Sequence, residues 1–293
     1  MRAVFYALLP LAGLAGLIVL ASVLSYGLLI LTGDILGVDK LIGKITQLLL
    51  ILCIFPLKKY LRLQWRDFGF APPAIFFKQI WQGLALSIVT LLPMLLILYA
   101  LDVHVFDEGQ NWTAGKLAGK ISLALILALL IAFFEEMLFR GLLLTAFRRQ
   151  FTTTAAILIS SFYYAALHFL KSKSSISYPE LSFGGGFQLI LEAFGNWLNP
   201  AIAGALLSLF IVGVFLAVIR TRIPDSLGLC IGCHCGWVWQ IKTSKDLCNL
   251  NPHADYQFLV SNYDGVVGPL VSFWLLLAIM VFEMYRKRKK TLG

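Results

Sequence analysis

The chain has 293 residues, of which 59% are hydrophobic and 13% are charged, with a formal net charge of +9. A soluble domain carries about 25% charged residues, so this composition excludes a disordered or nucleic-acid-binding chain and favours a membrane protein. Five cysteines in this length are too few for a disulfide-rich secreted scaffold.

Eight apolar runs, taken in chain order, predict an all-α polytopic membrane helix bundle with about eight transmembrane helices. The first is interpreted as a retained helix rather than a cleaved signal peptide. The second is the weakest, because only 13 residues separate its flanking lysines. The runs are Ala3–Gly33, Ile45–Leu57, Gln79–Leu101, Ile121–Phe134 with its extension to Phe147, Gln150–Leu170, Ala193–Ile219, Ser226–Ile241 and Gly265–Phe282.

The distribution of positive charge predicts the orientation of the bundle. Fifteen of the 24 Lys and Arg residues fall in alternate loops and the two terminal segments, and the basic tail 285–290 is interpreted as a lipid anchor. The positive-inside rule then places both termini in the cytoplasm of a multi-pass protein, which we expect in a bacterial plasma membrane. We divide the chain into N-terminal helices (1–120), a catalytic core (121–241) and an outer loop with the last helix and tail (242–293).

The fourth run contains ionisable side chains that are costly in a bilayer. Glu135, Glu136 and Arg140 interrupt an otherwise apolar helix, and each costs about 3 kcal/mol at the bilayer centre. The i, i+4 spacing predicts an ion pair between Glu136 and Arg140, whereas Glu135 points about 100° away and is predicted to be the reactive carboxylate. A purely structural cluster of all three residues remains the alternative.

Two further histidines lie within apolar runs, His168 in the fifth and His234 in the seventh. Counted from the turn near Phe151, Glu135 and His168 are each roughly 25 Å along their helices, so they can lie at the same depth. His234 lies roughly 16 Å from the next turn. We therefore predict that one carboxylate and two imidazoles converge in the inner half of the membrane, in a site that opens to the cytoplasm.

One glutamate and two histidines suffice to activate water for peptide-bond hydrolysis. In one version, Glu135, His168 and His234 bind Zn²⁺ and leave a position for water. In the other, Glu135 is a general base and the histidines orient the water and stabilise the oxyanion. The residues alone do not distinguish these versions.

The same residues resemble the motifs of a known family. Glu135-Glu136-x-x-x-Arg140 is similar to the first motif of the CPBP family, which comprises the CAAX prenyl endopeptidases and related bacteriocin-processing or immunity proteins. Tyr164-x-x-x-His168 resembles the second motif, usually Phe-x-x-x-His, and His234 resembles the start of the third. The resemblance implies an intramembrane endopeptidase in which Glu135 activates water, Glu136 and Arg140 support it, and the histidines bind metal or water.

One position departs from the family pattern, which has Asn or Asp four residues after the third-motif histidine. This chain has Val238 there. An oxyanion donor or fourth ligand is therefore expected to be either missing or supplied elsewhere, with Tyr164 and Asn196 as candidates. The departure also keeps open a non-catalytic scaffold or immunity protein with the family fold.

Two other functions are considered. Glu135 and His168 could form a proton relay in a transporter, although no inverted repeat supports this. Cys230-x-x-Cys233-His234 matches the haem c attachment string, but it lies within an apolar helix. The expected partners are the lipid bilayer and a peptide or lipidated-peptide substrate, and the sequence does not indicate the oligomeric state.

Overall fold

The computed structural model describes residues 2–33, 37–172, 174, 176 and 185–291. The described part is 78% helical. Its elements are α1 (Arg2–Thr32), α2 (Val38–Tyr60), α3 (Pro73–Ala100), β1 (His104–Phe106), α4 (Ala114–Glu136), a π-helix (Met137–Leu143), α5 (Leu144–Arg148), α6 (Thr153–His168), α7 (Gly185–Gly195), α8 (Ala203–Arg222), α9 (Leu227–Leu247), β2 (Cys248–Leu250) and α10 (Pro269–Thr291).

The protein is a membrane helix bundle, as its composition predicts. Six segments of the described chain are long and apolar enough to span a bilayer: α1, α2, α3, the continuous unit from α4 to α5, α8 with the turn before it, and α10. The predicted number of eight is not confirmed. The fifth predicted span corresponds to α6, which has only 16 residues, and the seventh corresponds to α9, which carries Lys242, Lys245 and Asp246 in its last turns.

The helices run between two chemically different ends of the bundle. We call one the arginine-rich end, formed by segments 58–78, 148–149, 220–225 and 283–289. Hydrogen bonds join these segments: Arg149 donates to the Leu61 carbonyl, Arg220 to the Phe68 carbonyl and Arg222 to Glu283. The opposite end, here the lysine end, is formed by segments 37–44, 101–120, 171–172, 185–195 and 242–264.

A row of glycines allows α9 to pack closely against α3. Gly228, Gly232 and Gly236 follow one another at intervals of four residues and therefore lie on one face of α9. A Cβ atom on Gly232 would overlap the carbonyl oxygen of Ile80, and one on Gly83 would overlap the carbonyl oxygen of Leu229. Small residues permit this backbone contact in membrane helices, and it fixes the position of α9 in the bundle.

Short strands and a long loop cover the lysine end. β1 pairs antiparallel with β2, and the His104 Nε2 atom lies 2.8 Å from the carbonyl oxygen of Gly265 in the loop before α10. Gly265 has a φ of +76°, a left-handed conformation that favours glycine. The loop is thereby held against the helix ends, next to the site described below.

Candidate functional site

A buried carboxylate links two helices through an arginine and a histidine. The Glu136 Oε1 atom lies 3.0 Å from Arg140 Nη1 and 2.8 Å from His234 Nδ1, so the ion pair predicted from the i, i+4 spacing is present. None of the three side chains is more than 4% exposed. Arg140 also donates to the Gly213 carbonyl and lies 4.3 Å from the centre of the Tyr164 ring. Each charge is therefore compensated inside the bundle.

The adjacent carboxylate has a different environment. The Glu135 side chain is 31% exposed, and its buried Oε2 atom has no hydrogen-bond partner in the described residues. This oxygen lies 3.9 Å from His234 Nε2. A carboxylate can only accept, so His234 donates from Nδ1 to Glu136, and in the neutral imidazole this leaves Nε2 as an acceptor on the side of Glu135. The distance is too long for a direct hydrogen bond and short enough for one water molecule to contact both atoms.

His168 has its ring fixed in the same tautomer. Its Nδ1 atom lies 2.7 Å from the carbonyl oxygen of Tyr164, which can only accept, so Nδ1 carries the proton and Nε2 is free to accept. The Tyr164 ring packs between the two imidazoles, with ring centres 4.7 Å from His168 and 6.0 Å from His234. Tyr164 is only 3% exposed and joins α6 to the cluster on α4 and α9.

The helix that carries the two glutamates changes its winding directly after them. α4 ends at Glu136, and a π-helix continues to Leu143 before α5 begins. π-Helical turns often occur at functional sites, because they alter the direction of side chains without ending the helix. Gly141 lies in this π-helix, and a Cβ atom at its position would overlap the ring of the fully buried Phe68.

Two cavities meet at these residues. The larger, of about 850 Å³, contains Glu135 and His168 and has mainly apolar walls from α1, α2, α4 and α7. The smaller, of about 350 Å³, contains His168, His234 and Tyr164. The larger cavity ends among Lys40, Lys44 and Lys171, and the smaller one among Lys171, Lys242 and Lys245.

The direction of these openings corrects one sequence expectation. We expected a site that opens to the cytoplasm, at the end rich in arginine. The walls of both cavities instead extend to residues of the lysine end, and neither cavity is lined by a residue of the arginine-rich segments. A distance of roughly 25 Å from the turn near Phe151 lies towards the far side of a hydrocarbon core about 30 Å thick, and His168, the last residue of α6, accordingly lies next to the lysine-end loops.

The remaining candidate residues differ in whether they line the two cavities. Val238 lines the smaller cavity, so an apolar side chain occupies the position where the family pattern has Asn or Asp. The Asn196 amide donates to the Phe169 carbonyl at 3.0 Å, and Asn196 lines neither cavity. Sequence reasoning missed Tyr263, which lines both cavities with its ring centre 6.3 Å from that of His168. No sequence signal could have identified it, because it lies in a loop beyond the last motif.

The cysteines of the haem-like string have a structural environment. Cys230 and Cys233 are both 0% exposed, and the Cys230 thiol donates to the Leu216 carbonyl. The Nδ1 atom of His234 is already engaged by Glu136. The string is thus packed inside the bundle, which argues against haem attachment and favours the interpretation of these cysteines as small apolar residues.

The predicted metal ligands have the donor atoms that zinc prefers. Both histidines have Nδ1 bonded to an acceptor, an arrangement that leaves Nε2 of the neutral ring available to a metal. Among the described residues, however, no three His, Cys, Asp or Glu side chains are grouped closely enough to hold a metal ion. The donor chemistry suits zinc, while the side chains as arranged do not form a three-ligand site.

The fold and this cluster together define an integral membrane protein with a carboxylate–arginine–histidine centre buried among its helices. Residues 117–240 match the family model described as type II CAAX prenyl endopeptidase Rce1-like. That segment contains Glu135, Glu136, Arg140, His168 and His234. The resemblance to the CAAX prenyl endopeptidases is therefore confirmed for this segment of the chain.

A relative in Bacillus subtilis (strain 168), named "Uncharacterized protein YpbD", is 34% identical to this chain over 129 residues. The match covers 42% of this chain and 62% of the relative, so less than two thirds of the relative's length is matched. No solved structure gives a significant match.

Proposed function

We propose that this protein is an intramembrane endopeptidase that hydrolyses a peptide bond by activating water with Glu135. The single observation that carries the proposal is the contrast between adjacent carboxylates. The Oε2 atom has no hydrogen-bond partner among the described residues in either side chain. Glu136, however, is fully buried with its Oε1 atom bonded to Arg140 and His234, whereas Glu135 is partly exposed and lines a cavity. The match of residues 117–240 to an endopeptidase family supports the same chemistry.

The proposed reaction uses side chains already in position. A water molecule between Glu135 and His234 donates one hydrogen bond to each, because Oε2 and Nε2 are both acceptors. Its oxygen attacks the carbonyl carbon of the substrate while Glu135 takes a proton. Glu135 then transfers this proton to the amide nitrogen as the carbon–nitrogen bond breaks, which releases a carboxylic acid and an amine. Glu136 and Arg140 position His234 and do not exchange protons.

A donor must also stabilise the negative charge on the carbonyl oxygen. Val238 cannot supply it, so we assign this role to the Tyr164 hydroxyl group. Tyr164 is buried, lines the smaller cavity and contacts both histidine rings. Its position in the second motif is usually occupied by Phe in the family, so the hydroxyl group is an addition in this chain where the usual Asn or Asp is absent.

Zinc belongs to the proposal as a second form of the same site. Because Glu135, His168 and His234 as arranged do not form a three-ligand site, they would have to move closer together to hold zinc, which would then lower the pKa of water and polarise the carbonyl group. The steps given above do not depend on it. Metal analysis of purified protein, with His168→Ala as the matched variant, distinguishes the two forms: stoichiometric zinc that the variant loses supports the metalloenzyme.

The substrate is proposed to be a peptide with an apolar or lipid-bearing segment. The larger cavity has apolar walls that include Ile42, Leu130 and Phe134, and it leads to Glu135. A segment of this chemistry would bury apolar surface along the cavity while its backbone reaches the reacting groups. We propose the bacterial plasma membrane as its location.

The experiment compares processing in a deletion strain complemented with the parent chain, Glu135→Gln or His168→Ala. Mass spectrometry of membrane and secreted peptides identifies species that accumulate without the protein. We expect the parent to remove them, and both variants to reach the membrane in parental amounts without removing them. Normal processing by Glu135→Gln would rule out the proposed role. A variant that complements the deletion without altering any peptide would favour a non-catalytic scaffold.

A further inference from the structure

The two ends of the bundle differ strongly in charge. In the described chain, the arginine-rich segments 58–78, 148–149, 220–225 and 283–289 contain thirteen basic residues and three acidic ones. The lysine-end segments 37–44, 101–120, 171–172, 185–195 and 242–264 contain seven basic and eight acidic residues. An excess of Lys and Arg in short loops marks the cytoplasmic side of a membrane protein. The arginine-rich end is therefore assigned to the cytoplasm.

The structure closes the arginine-rich end beneath the candidate site. The segment before α3 folds over this end: Phe68 is 0% exposed, and Arg220 donates to the carbonyl oxygens of Asp67 and Phe68. Gly69 has a φ of +91°, and the guanidinium group of Arg220 lies against it. The carbonyl oxygen of Gly69 accepts a hydrogen bond from the Leu227 amide. A substrate would have to displace this packed segment to enter from the arginine-rich end.

Both cavities, by contrast, extend to the lysine end. Lys40 and Lys44 lie at the mouth of the larger cavity, Lys242 and Lys245 at that of the smaller, and Lys171 lines both. His168, at the end of α6, brings the reacting groups next to these mouths. Access to Glu135 and the two histidines is thus from the end whose charge is characteristic of the non-cytoplasmic side.

We infer that the reaction centre is reached from the non-cytoplasmic face of the membrane, so that its substrate is a peptide segment exposed at that face. The statement about the substrate rests on the proposed function, whereas the direction of access does not. The chemical class is a translocated or membrane-anchored peptide whose cleavage site lies at or just below the outer lipid headgroups. Peptides confined to the cytoplasm would not reach Glu135.

Cysteine labelling of the full chain in intact bacterial cells tests this inference. Cys53 and Cys248 are replaced by Ser, and the other three cysteines are at most 1% exposed and serve as an internal blank. Single probes are then added at exposed positions: Asp255→Cys in the lysine-end loop, Lys171→Cys at the cavity mouths and Gln150→Cys at the arginine-rich end.

With a membrane-impermeant maleimide, we expect Asp255→Cys and Lys171→Cys to be labelled in intact cells and Gln150→Cys only after lysis. Labelling of Gln150→Cys in intact cells, alone or together with the other two, would overturn the inference. Repeating the labelling in a Glu135→Gln background separates the two proposals. If the probes are labelled as expected while Glu135→Gln still processes the peptide, only the proposed protease is rejected. If Gln150→Cys is labelled in intact cells while Glu135→Gln abolishes processing, only the direction of access is rejected.

Discussion

The adjacent glutamates offer a sharp test, because the same substitution should affect them in opposite ways. Glu136→Gln keeps the shape of a side chain that is 0% exposed but leaves the guanidinium group of Arg140 without its counter-charge. Breaking a buried ion pair from one side costs about 3–5 kcal/mol. The contacts of Arg140 with the Gly213 carbonyl and the Tyr164 ring remain, so we expect a loss near the lower limit, about 3 kcal/mol.

Glu135→Gln removes a charge whose buried oxygen has no partner in the described residues, so the free energy of unfolding should be unchanged or slightly raised. Activity should nevertheless be lost, because an amide cannot take the proton from water. Both variants are purified in detergent, and their unfolding is followed by circular dichroism beside a processing assay. Equal destabilisation by the two substitutions would refute the division of roles and support a single structural cluster.

Two further predictions concern packing and pH. Gly232→Leu should separate α9 from α3 and sharply reduce the yield of folded protein, because a side chain there meets the Ile80 backbone, whereas Gly204→Ala, with open space around it, should behave as the parent in size-exclusion chromatography. Burial raises the pKa of Asp264 above its usual 3.8, against hydrogen bonds from the amides of Val266 and Val267 that lower it. The stability supplied by its neutral form is therefore present below pH 3.8 and lost as the pH rises through the raised pKa. Asp264→Asn should not show that loss, so the unfolding temperature of the variant relative to the parent should rise as the pH is raised above about 4. Unfolding temperatures that change in parallel with pH would contradict this account.

Most of the bundle could be predicted from the sequence because lipid imposes a simple rule on composition. Long uncharged runs gave six of the spans, including the second run, which α2 extends well beyond its flanking lysines. The count is not confirmed for α6 and α9, which are buried by neighbouring helices and so need neither full length nor uniform apolarity. The glycine row on α9 was visible in the sequence, but only the position of Gly83 shows that α3 is its partner.

Some contacts of the candidate site could be predicted from the sequence alone, and others depend on the tertiary structure. The pairing of Glu136 with Arg140 follows from helical spacing, so it could be predicted without tertiary information. The bond between Glu136 and His234 joins residues 98 positions apart, and the contact of Tyr263 with His168 depends on a loop that no motif describes. The direction of the cavities depends on how far each helix projects, which residue counts from a turn do not determine.

The assignment of the oxyanion donor leads to a prediction of rescue. Tyr164→Phe keeps the ring that packs between His168 and His234, so the fold should be retained. Loss of one oxyanion donor typically lowers turnover by about 10²- to 10³-fold, and we expect a decrease of that size without a matching change in KM. Adding Val238→Asn to this variant places a donor one helical turn after His234 on the wall of the same cavity, and turnover should recover at least tenfold. The recovery would show that the two positions exchange one function, which a structural role for Tyr164 does not predict. Unchanged turnover in Tyr164→Phe, or a double variant no better than the single one, would mean that the donor lies elsewhere, with Tyr263 as the next hydroxyl group on the wall of both cavities.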